Sequence, residues 1–168
     1  LLRNSPRHLR ALKLAAEKAS WGRPPPKGRA RGLAVHESFG SIVAEVAEVS
    51  VEKERIRVRR VTCAIDCGLA VNPLAVEAQV QGSVAFGLGP ALHSAITLEG
   101  GRVRQGNFDD YEVLRLDEMP EVAVHLVPSG ARMGGVGEPA TAPVAAAVSN
   151  AAFALTGKRL RSLPLRLG

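Results

Sequence analysis

Residues 76–88 place a valine or leucine at every fourth position, and this spacing most constrains how the chain can fold. The four side chains form one apolar stripe along a helix. They are Val76, Val80, Val84 and Leu88. Asn72 followed by Pro73 is a favourable start for such a helix. Three glycines between residues 82 and 89 are poor helix formers, by about 1 kcal/mol each relative to Ala. They predict that a neighbouring backbone or a cofactor packs closely against this helix.

The flanking segments predict β structure. Residues 42–52 and 56–65 are rich in β-branched side chains and are separated by a short polar turn, which predicts a hairpin. Residues 95–103 contain a Glu-Gly-Gly turn and predict a second hairpin. Residues 121–127 alternate apolar and other side chains and predict a half-buried strand.

A second helix rich in Ala and Val is predicted from residue 141 to about residue 155. Gly157 follows it at the position that favours left-handed backbone. Residues 160–165 alternate leucine with other residues and predict a closing strand. Together, these predicted elements indicate an α+β fold, in which hairpins form a mixed sheet and the two Ala/Val-rich helices pack together.

The N-terminal region differs from the rest of the chain. A basic helix is predicted from Pro6 to about Ser20. The triplet Pro24–Pro26 follows among Gly and Arg residues, and it excludes helix and central strand. We therefore divide the chain into a basic helix with its connector, residues 1–31, and a main domain, residues 32–168.

The net charge of +6 on 168 residues is unevenly distributed. Residues 1–35 carry nine basic side chains and one acidic one, whereas residues 36–157 carry nine basic and fifteen acidic ones. A basic nucleic-acid patch would therefore lie only at the termini, where Trp21 is the only aromatic residue and stacking platforms usually have several. We expect no nucleic-acid binding. No apolar run reaches the roughly 18 residues of a transmembrane helix, so we also expect no transmembrane segment.

Cys63 and Cys67 are the two cysteines of the chain. A disulfide scaffold would need more of them in a shorter chain, and a zinc site would need further ligands at short spacing. The four histidines are isolated from one another in the sequence. We therefore expect two free, buried or half-buried thiols and no side-chain metal site.

The most informative segment for function is the glycine-dense loop at residues 130–139. Gly134, Gly135 and Gly137 allow backbone N–H groups to turn toward a ligand. Glu138 lies between a glycine and a proline just ahead of a predicted helix, which is a suitable place for a general base. The spacing matches neither the dinucleotide fingerprint nor a P-loop. From the residues alone, a tight turn with a glutamate at a helix N-terminus stays open beside the general-base interpretation.

Seven strings together resemble the large molybdenum subunit of the xanthine dehydrogenase/aldehyde oxidase family, and within it the isoquinoline 1-oxidoreductase β-subunit branch. The strings are Gly32–Ser41, Cys63–Gly68, Val71–Pro73, Ala78–Gly82, Asn107–Tyr111, Gly134–Pro139 and Thr156–Arg159. The resemblance runs from about Pro6 to Leu165. It implies the C-terminal molybdopterin-binding domain of a molybdenum hydroxylase.

The resemblance also implies a reaction and a set of site residues. Members of this family oxidise an aldehyde or N-heterocycle carbon with oxygen from water, using molybdenum on a pterin, either molybdopterin or its cytosine dinucleotide form. Glu138 matches the glutamate that acts as general base at the molybdenum-bound hydroxyl. Gln79 matches a glutamine that hydrogen-bonds the pterin, and the backbone of Gly135, Val136 and Gly137 is expected beside the cofactor. The resemblance implies no side-chain ligand to the metal.

Subunits of this family are several times longer than this chain. We therefore expect a C-terminal part of a larger subunit, whose partners are the remainder of that subunit and an iron–sulfur subunit that carries the clusters. The substrate would be a small aldehyde or N-heterocycle. We expect the chain to be inactive alone. The alternative is a truncated, non-catalytic cofactor-binding or assembly module of the same fold.

Overall fold

The computed structural model describes residues 2–168. Within them, three α-helices accompany a four-stranded sheet and a small two-stranded ribbon. The helices are α1 (Pro6–Lys18), α2 (Pro73–Leu92) and α3 (Thr141–Thr156). The strands are β1 (Arg29–Ser38), β2 (Ser41–Glu52), β3 (Arg55–Asp66), β4 (Leu98–Glu99), β5 (Arg102–Val103) and β6 (Glu121–Leu126).

The main sheet has the strand order β1-β2-β3-β6. The first three strands form an antiparallel meander, and β6 then joins β3 in parallel. A parallel pair needs a long crossover connection. Here α2 and the β4–β5 ribbon supply it. The predicted α+β class with a mixed sheet is therefore confirmed.

Both faces of the sheet are covered, because successive side chains of a strand point to opposite faces. One face contributes Val43, Ala47 and Cys63 to a core shared with α2 and α3. The other face contributes Ile42 and Ala44 to a smaller core beneath α1. Consequently β2 is buried on both sides from residue 41 to residue 50.

Helices α2 and α3 pack closely, and Gly87 allows their approach. A Cβ at this position would lie 2.6 Å from the carbonyl oxygen of Thr141. At Gly82, by contrast, a Cβ would meet no atom within 4 Å. The predicted close packing against the glycines of α2 is thus confirmed at Gly87, whereas the surface around Gly82 is open.

The predicted ends of two helices agree with the structure. Asn72 caps α2, because its Oδ1 accepts a hydrogen bond from the N–H of Ala75 at 3.1 Å. Gly157 ends α3 with a φ of 72°. The hairpin of β2 and β3, the ribbon of β4 and β5, and strand β6 also lie where the sequence predicts them.

Two predictions need correction. Residues 160–165 form no strand, because this segment is held against the end of α2, where the Leu165 N–H donates to the Ala91 carbonyl at 2.8 Å. Strand β1 was missed, and it begins at Arg29, inside the predicted connector. The division of the chain at residues 31 and 32 stays a prediction, but α1 packs on the same sheet as the later residues.

Cys63 and Cys67 are free and buried, as predicted. No helix within residues 2–168 is long and apolar enough to cross a lipid bilayer.

Candidate cofactor site

The glycine-dense loop connects β6 to α3 and lies over one end of the main sheet. The N–H of Gly134 donates to the carbonyl of Cys67 at 3.0 Å, just beyond β3. The N–H of Gly135 donates to the carbonyl of Phe39 at 2.8 Å, in the turn between β1 and β2. Two backbone hydrogen bonds therefore tie the loop to two separate turns of the sheet.

Two serine hydroxyls also hold the loop. Ser41 Oγ donates to the carbonyl of Gly135 at 2.6 Å. Ser83 Oγ, on α2, donates to the carbonyl of Gly137. The loop thus bridges the sheet and α2, and both serines are buried. Neither residue was predicted from the sequence, since a single serine in a strand or helix carries no local signal for a distant loop.

The next three backbone donors are free. The N–H groups of Val136, Gly137 and Glu138 have no hydrogen-bond acceptor within the part of the chain that the structure describes. The carbonyl of Glu138 accepts from the N–H of Thr141 at 2.9 Å, where α3 begins. Consecutive free N–H groups next to a helix N-terminus favour a ligand rich in hydrogen-bond acceptors or negative charge.

The structure brings Gln79 to this loop. A Cβ at Gly137 would lie 3.4 Å from Gln79 Oε1, so the amide of α2 faces the glycine backbone directly. Gln79 and Gly137 are both exposed, and Val136 is half-buried against the main core. Gly135 is exposed and lies against the Phe39 side chain. The predicted cofactor-binding residues therefore share one surface.

Glu138 lies at the edge of the same surface. Its side chain is exposed, and its carboxylate makes no hydrogen bond or ion pair with any of residues 2–168. The following residue, Pro139, is buried and fixes the backbone at the start of α3. The backbone of Glu138 is thus fixed, while its carboxylate is free to reach a bound molecule.

The hydrogen-bonding groups at this surface suit a cofactor that the protein holds through its organic part and not through side-chain ligands to a metal. Residues 2–168 contain no cluster of three His, Cys, Asp or Glu side chains that could hold a metal ion. The surface offers three free N–H groups and the Gln79 amide instead. A phosphorylated pterin, with ring nitrogens, an amino group, a carbonyl and a phosphate on its side chain, presents matching donors and acceptors. The residues that would hold it are Gln79 and the backbone from Val136 to Glu138.

Comparison with known families agrees with this chemistry. The family model described as a molybdopterin cofactor-binding domain matches residues 10–120. The chain belongs to this family. The match includes Gln79 on α2 and ends before β6 and the glycine-dense loop. The predicted family and cofactor class are therefore confirmed.

Relatives of this molybdopterin cofactor-binding domain are large subunits of oxidoreductases. The chain is 35% identical to the isoquinoline 1-oxidoreductase subunit beta of Brevundimonas diminuta, over 98% of this chain and 22% of the relative. It is 30% identical to the xanthine dehydrogenase molybdenum-binding subunit of Escherichia coli O157:H7, over 76% of this chain and 18% of the relative. The chain thus spans about a fifth of the length of these curated relatives.

A solved structure shows the same fold. The aldehyde oxidoreductase of Desulfovibrio desulfuricans ATCC 27774 superposes with a TM-score of 0.64 at 26% identity. The superposition covers 76% of this chain and 15% of that chain. The predicted molybdopterin-binding fold of the molybdenum hydroxylase type is therefore confirmed.

Proposed function

We propose that this chain is the C-terminal part of a molybdenum hydroxylase that oxidises an aldehyde or N-heterocycle carbon with oxygen from water. Glu138 would be the general base. The observation that carries the proposal is the shared surface of Gln79, the free N–H groups of Val136 and Gly137, and the Glu138 carboxylate. A cofactor held by Gln79 and by the N–H groups of Val136 and Gly137 would lie beside the Glu138 carboxylate.

Each residue has a separate task in this proposal. Gln79 orients the pterin through its side-chain amide, and the backbone of Gly135, Val136 and Gly137 supports the cofactor at close range. When bound, the molybdenum–pterin supplies the redox centre that accepts the electrons of the substrate. Glu138 receives a proton at its carboxylate from the oxygen nucleophile, which makes that oxygen more reactive toward an electrophilic carbon.

Gln79, Gly137 and Glu138 are exposed, and this supports the proposed partners. Exposed apolar side chains lie on the segments that border the loop. They are Phe39, Leu69, Val71, Leu74 and Met133, each more than half exposed. Apolar side chains gathered on one surface are typical of an interface. We propose that the remainder of the molybdenum subunit covers this surface and that an iron–sulfur subunit completes the enzyme.

The proposal is tested with the complete subunit that contains these residues, purified with its iron–sulfur partner. Glu138→Gln keeps the size and hydrogen-bonding shape of the side chain but removes the base. We expect it to retain molybdenum and pterin at wild-type content while turnover falls by about 10²–10⁴-fold, the range that general-base catalysis contributes. Glu99→Gln, in the exposed β4–β5 ribbon, is the matched control and keeps full turnover.

Near-normal turnover in Glu138→Gln would remove Glu138 from the base role. Absence of molybdenum and pterin from the wild-type protein would overturn the cofactor assignment itself.

A second candidate is a non-catalytic cofactor-binding or assembly module of the same fold. The observation that favours it is that Gln79 and the free N–H groups of Val136 and Gly137 form the binding surface without any contribution from the Glu138 carboxylate. The same purified protein separates the two candidates. Bound pterin without oxidation of any aldehyde or N-heterocycle supports the module, and turnover that depends on Glu138 supports the enzyme.

A further inference from the structure

A buried ion pair lies beneath the turns that hold the glycine-dense loop. The carboxylate of Asp66, at the end of β3, is fully buried. Arg7 of α1 reaches it with two parallel hydrogen bonds, from Nε to Oδ2 and from Nη2 to Oδ1, each 3.0 Å long. Such a two-pronged pair restricts both side chains more strongly than a single contact does.

Further contacts of the same two side chains reach the neighbouring turns. Arg7 Nη2 also donates to the carbonyls of Gly40 and Asp66, each at 3.2 Å. Asp66 Oδ1 accepts from the hydroxyl of Ser129 and from the N–H of Gly68. Burial raises the pKa of Asp66, but the hydrogen bonds from Arg7, Ser129 and Gly68 outweigh it and leave the pKa below its ordinary value. The carboxylate is therefore an ionised and fully used acceptor.

The residues that Arg7 contacts are direct sequence neighbours of the two residues that anchor the loop. Gly40 follows Phe39, whose carbonyl accepts the Gly135 N–H. Asp66 precedes Cys67, whose carbonyl accepts the Gly134 N–H. Both acceptors of the loop thus lie one residue away from an atom that Arg7 holds.

We propose that Arg7 is a positioning residue for the glycine-dense loop and acts on it through Asp66 and Gly40. This inference rests on the proposed function, since it takes the loop as the cofactor-binding segment. It extends the site to α1, which the sequence placed in a separate basic region. Arg7 fixes the positions of the two carbonyls that anchor Gly134 and Gly135, and so keeps the following N–H groups presented to a ligand.

The ion pair is separable from the packing of α1. Ala11 and Ala15 anchor this helix on the sheet through apolar contacts one and two turns beyond Arg7. Arg10 lies on the same helix, is exposed and makes no hydrogen bond or ion pair within residues 2–168. It is therefore a matched control for the loss of an arginine from α1.

The test is amide hydrogen exchange of the full 168-residue chain without cofactor, in the wild type and in Arg7→Ala, Arg7→Lys and Arg10→Ala. Sucrose is added to bring the variants to equal global stability, which the amides of β2 report. We expect Arg7→Ala to raise exchange at Gly134 and Gly135 about tenfold or more by local opening, with β2 unchanged. Arg7→Lys keeps a cation near Asp66 but loses the two parallel hydrogen bonds, so it should restore only part of the protection. Arg10→Ala should match the wild type.

If the amides of Gly134 and Gly135 in Arg7→Ala exchange no faster than in the wild type once exchange at β2 is matched, the positioning role is overturned. If Arg7→Ala does not fold, Arg7→Lys decides the question, because it keeps the positive charge beside Asp66 and loses the paired hydrogen bonds. We expect a smaller acceleration, about threefold, confined to the loop amides, and unchanged exchange would overturn the proposal. No cofactor enters this measurement, so its failure leaves the metal and turnover tests of the proposed function standing, and their failure leaves this result standing.

Discussion

Glu45 is a buried carboxyl group that makes the stability of the chain depend on pH. Its side chain is in the core, on the same side of β2 as Val43 and Ala47. Oε1 accepts a long hydrogen bond of 3.6 Å from the Cys63 thiol, and Oε2 has no partner within residues 2–168. Burial raises the pKa of Glu45 from 4.5 to about 8, and the bond from Cys63 offsets only part of this effect. The group is therefore protonated in the folded chain at neutral pH.

The unfolded chain loses this proton at the ordinary pKa of 4.5. Between the two pKa values the folded state holds more protons than the unfolded state, so the free energy of unfolding falls as the pH rises. Each unit of pKa difference corresponds to about 1.4 kcal/mol. From about pH 5.5 to about pH 7.5, Glu45 alone therefore lowers the free energy of unfolding by about 2–3 kcal/mol. The effect levels off above the folded-state pKa of about 8.

Glu45→Gln removes the titration while keeping the shape of the side chain. Urea unfolding followed by circular dichroism measures the free energy of unfolding of wild type and variant at several pH values. Since the other titrating groups are common to both proteins, the difference between their free energies of unfolding reports the titration of Glu45 alone. As the pH rises from about 5.5 to about 7.5, we expect the free energy of unfolding of the wild type to fall by about 2–3 kcal/mol relative to that of the variant. Glu99→Gln, whose side chain is exposed, should differ from the wild type by a constant amount.

A difference between Glu45→Gln and wild type that stays constant with pH would refute this reasoning. It would mean that the folded chain ionises Glu45 at its ordinary pKa and that the core accommodates the charge.

Two further predictions concern helix packing and the activity of the isolated chain. Gly87→Ala should lower the free energy of unfolding by about 1–3 kcal/mol, because the new methyl group meets the Thr141 carbonyl, whereas Gly82→Ala in open space should raise it by up to about 1 kcal/mol. Urea unfolding checks both, and equal effects would contradict the packing of α2 on α3. The 168-residue chain by itself should oxidise neither aldehydes nor N-heterocycles with an artificial electron acceptor, and clear turnover would show that it needs no further subunit.

Much of the fold was predictable because its signals are local. The four-residue repeat of α2, its Asn72 cap and the β-branched strands around the turn at residues 53–54 each depend on neighbours in the sequence. Strand β1 was missed because it begins directly after the Pro-rich segment. The strand predicted at residues 160–165 was wrong because the Leu165 N–H donates to the end of α2 and the Leu160 carbonyl accepts from Ser149 of α3, so the segment pairs with no strand.

The candidate site also has parts that the sequence predicts and parts that it does not. Glu138 was a candidate from its position in the glycine-dense loop, whereas Gln79 was proposed only from the resemblance to a known family, and both stay predictions. The support of the loop was not predictable, because Ser41, Ser83 and Asp66 reach it from three different elements. Only the folded chain brings residues of such separation together.

The parallel pairing of β3 with β6 has a consequence for the order in which the molecule folds. The meander from β1 to β3 closes through short turns, whereas β6 pairs Glu121 with Arg60 across the whole of α2 and the ribbon. Pairings between distant residues form slowly, because the intervening chain must be ordered first. The glycine-dense loop follows β6 in the chain. Its hydrogen-bond acceptors, the carbonyls of Phe39 and Cys67, lie in turns next to strands of the meander, which forms earlier. We therefore expect the cofactor surface to be among the last parts of the chain to form, after most of the core is already buried.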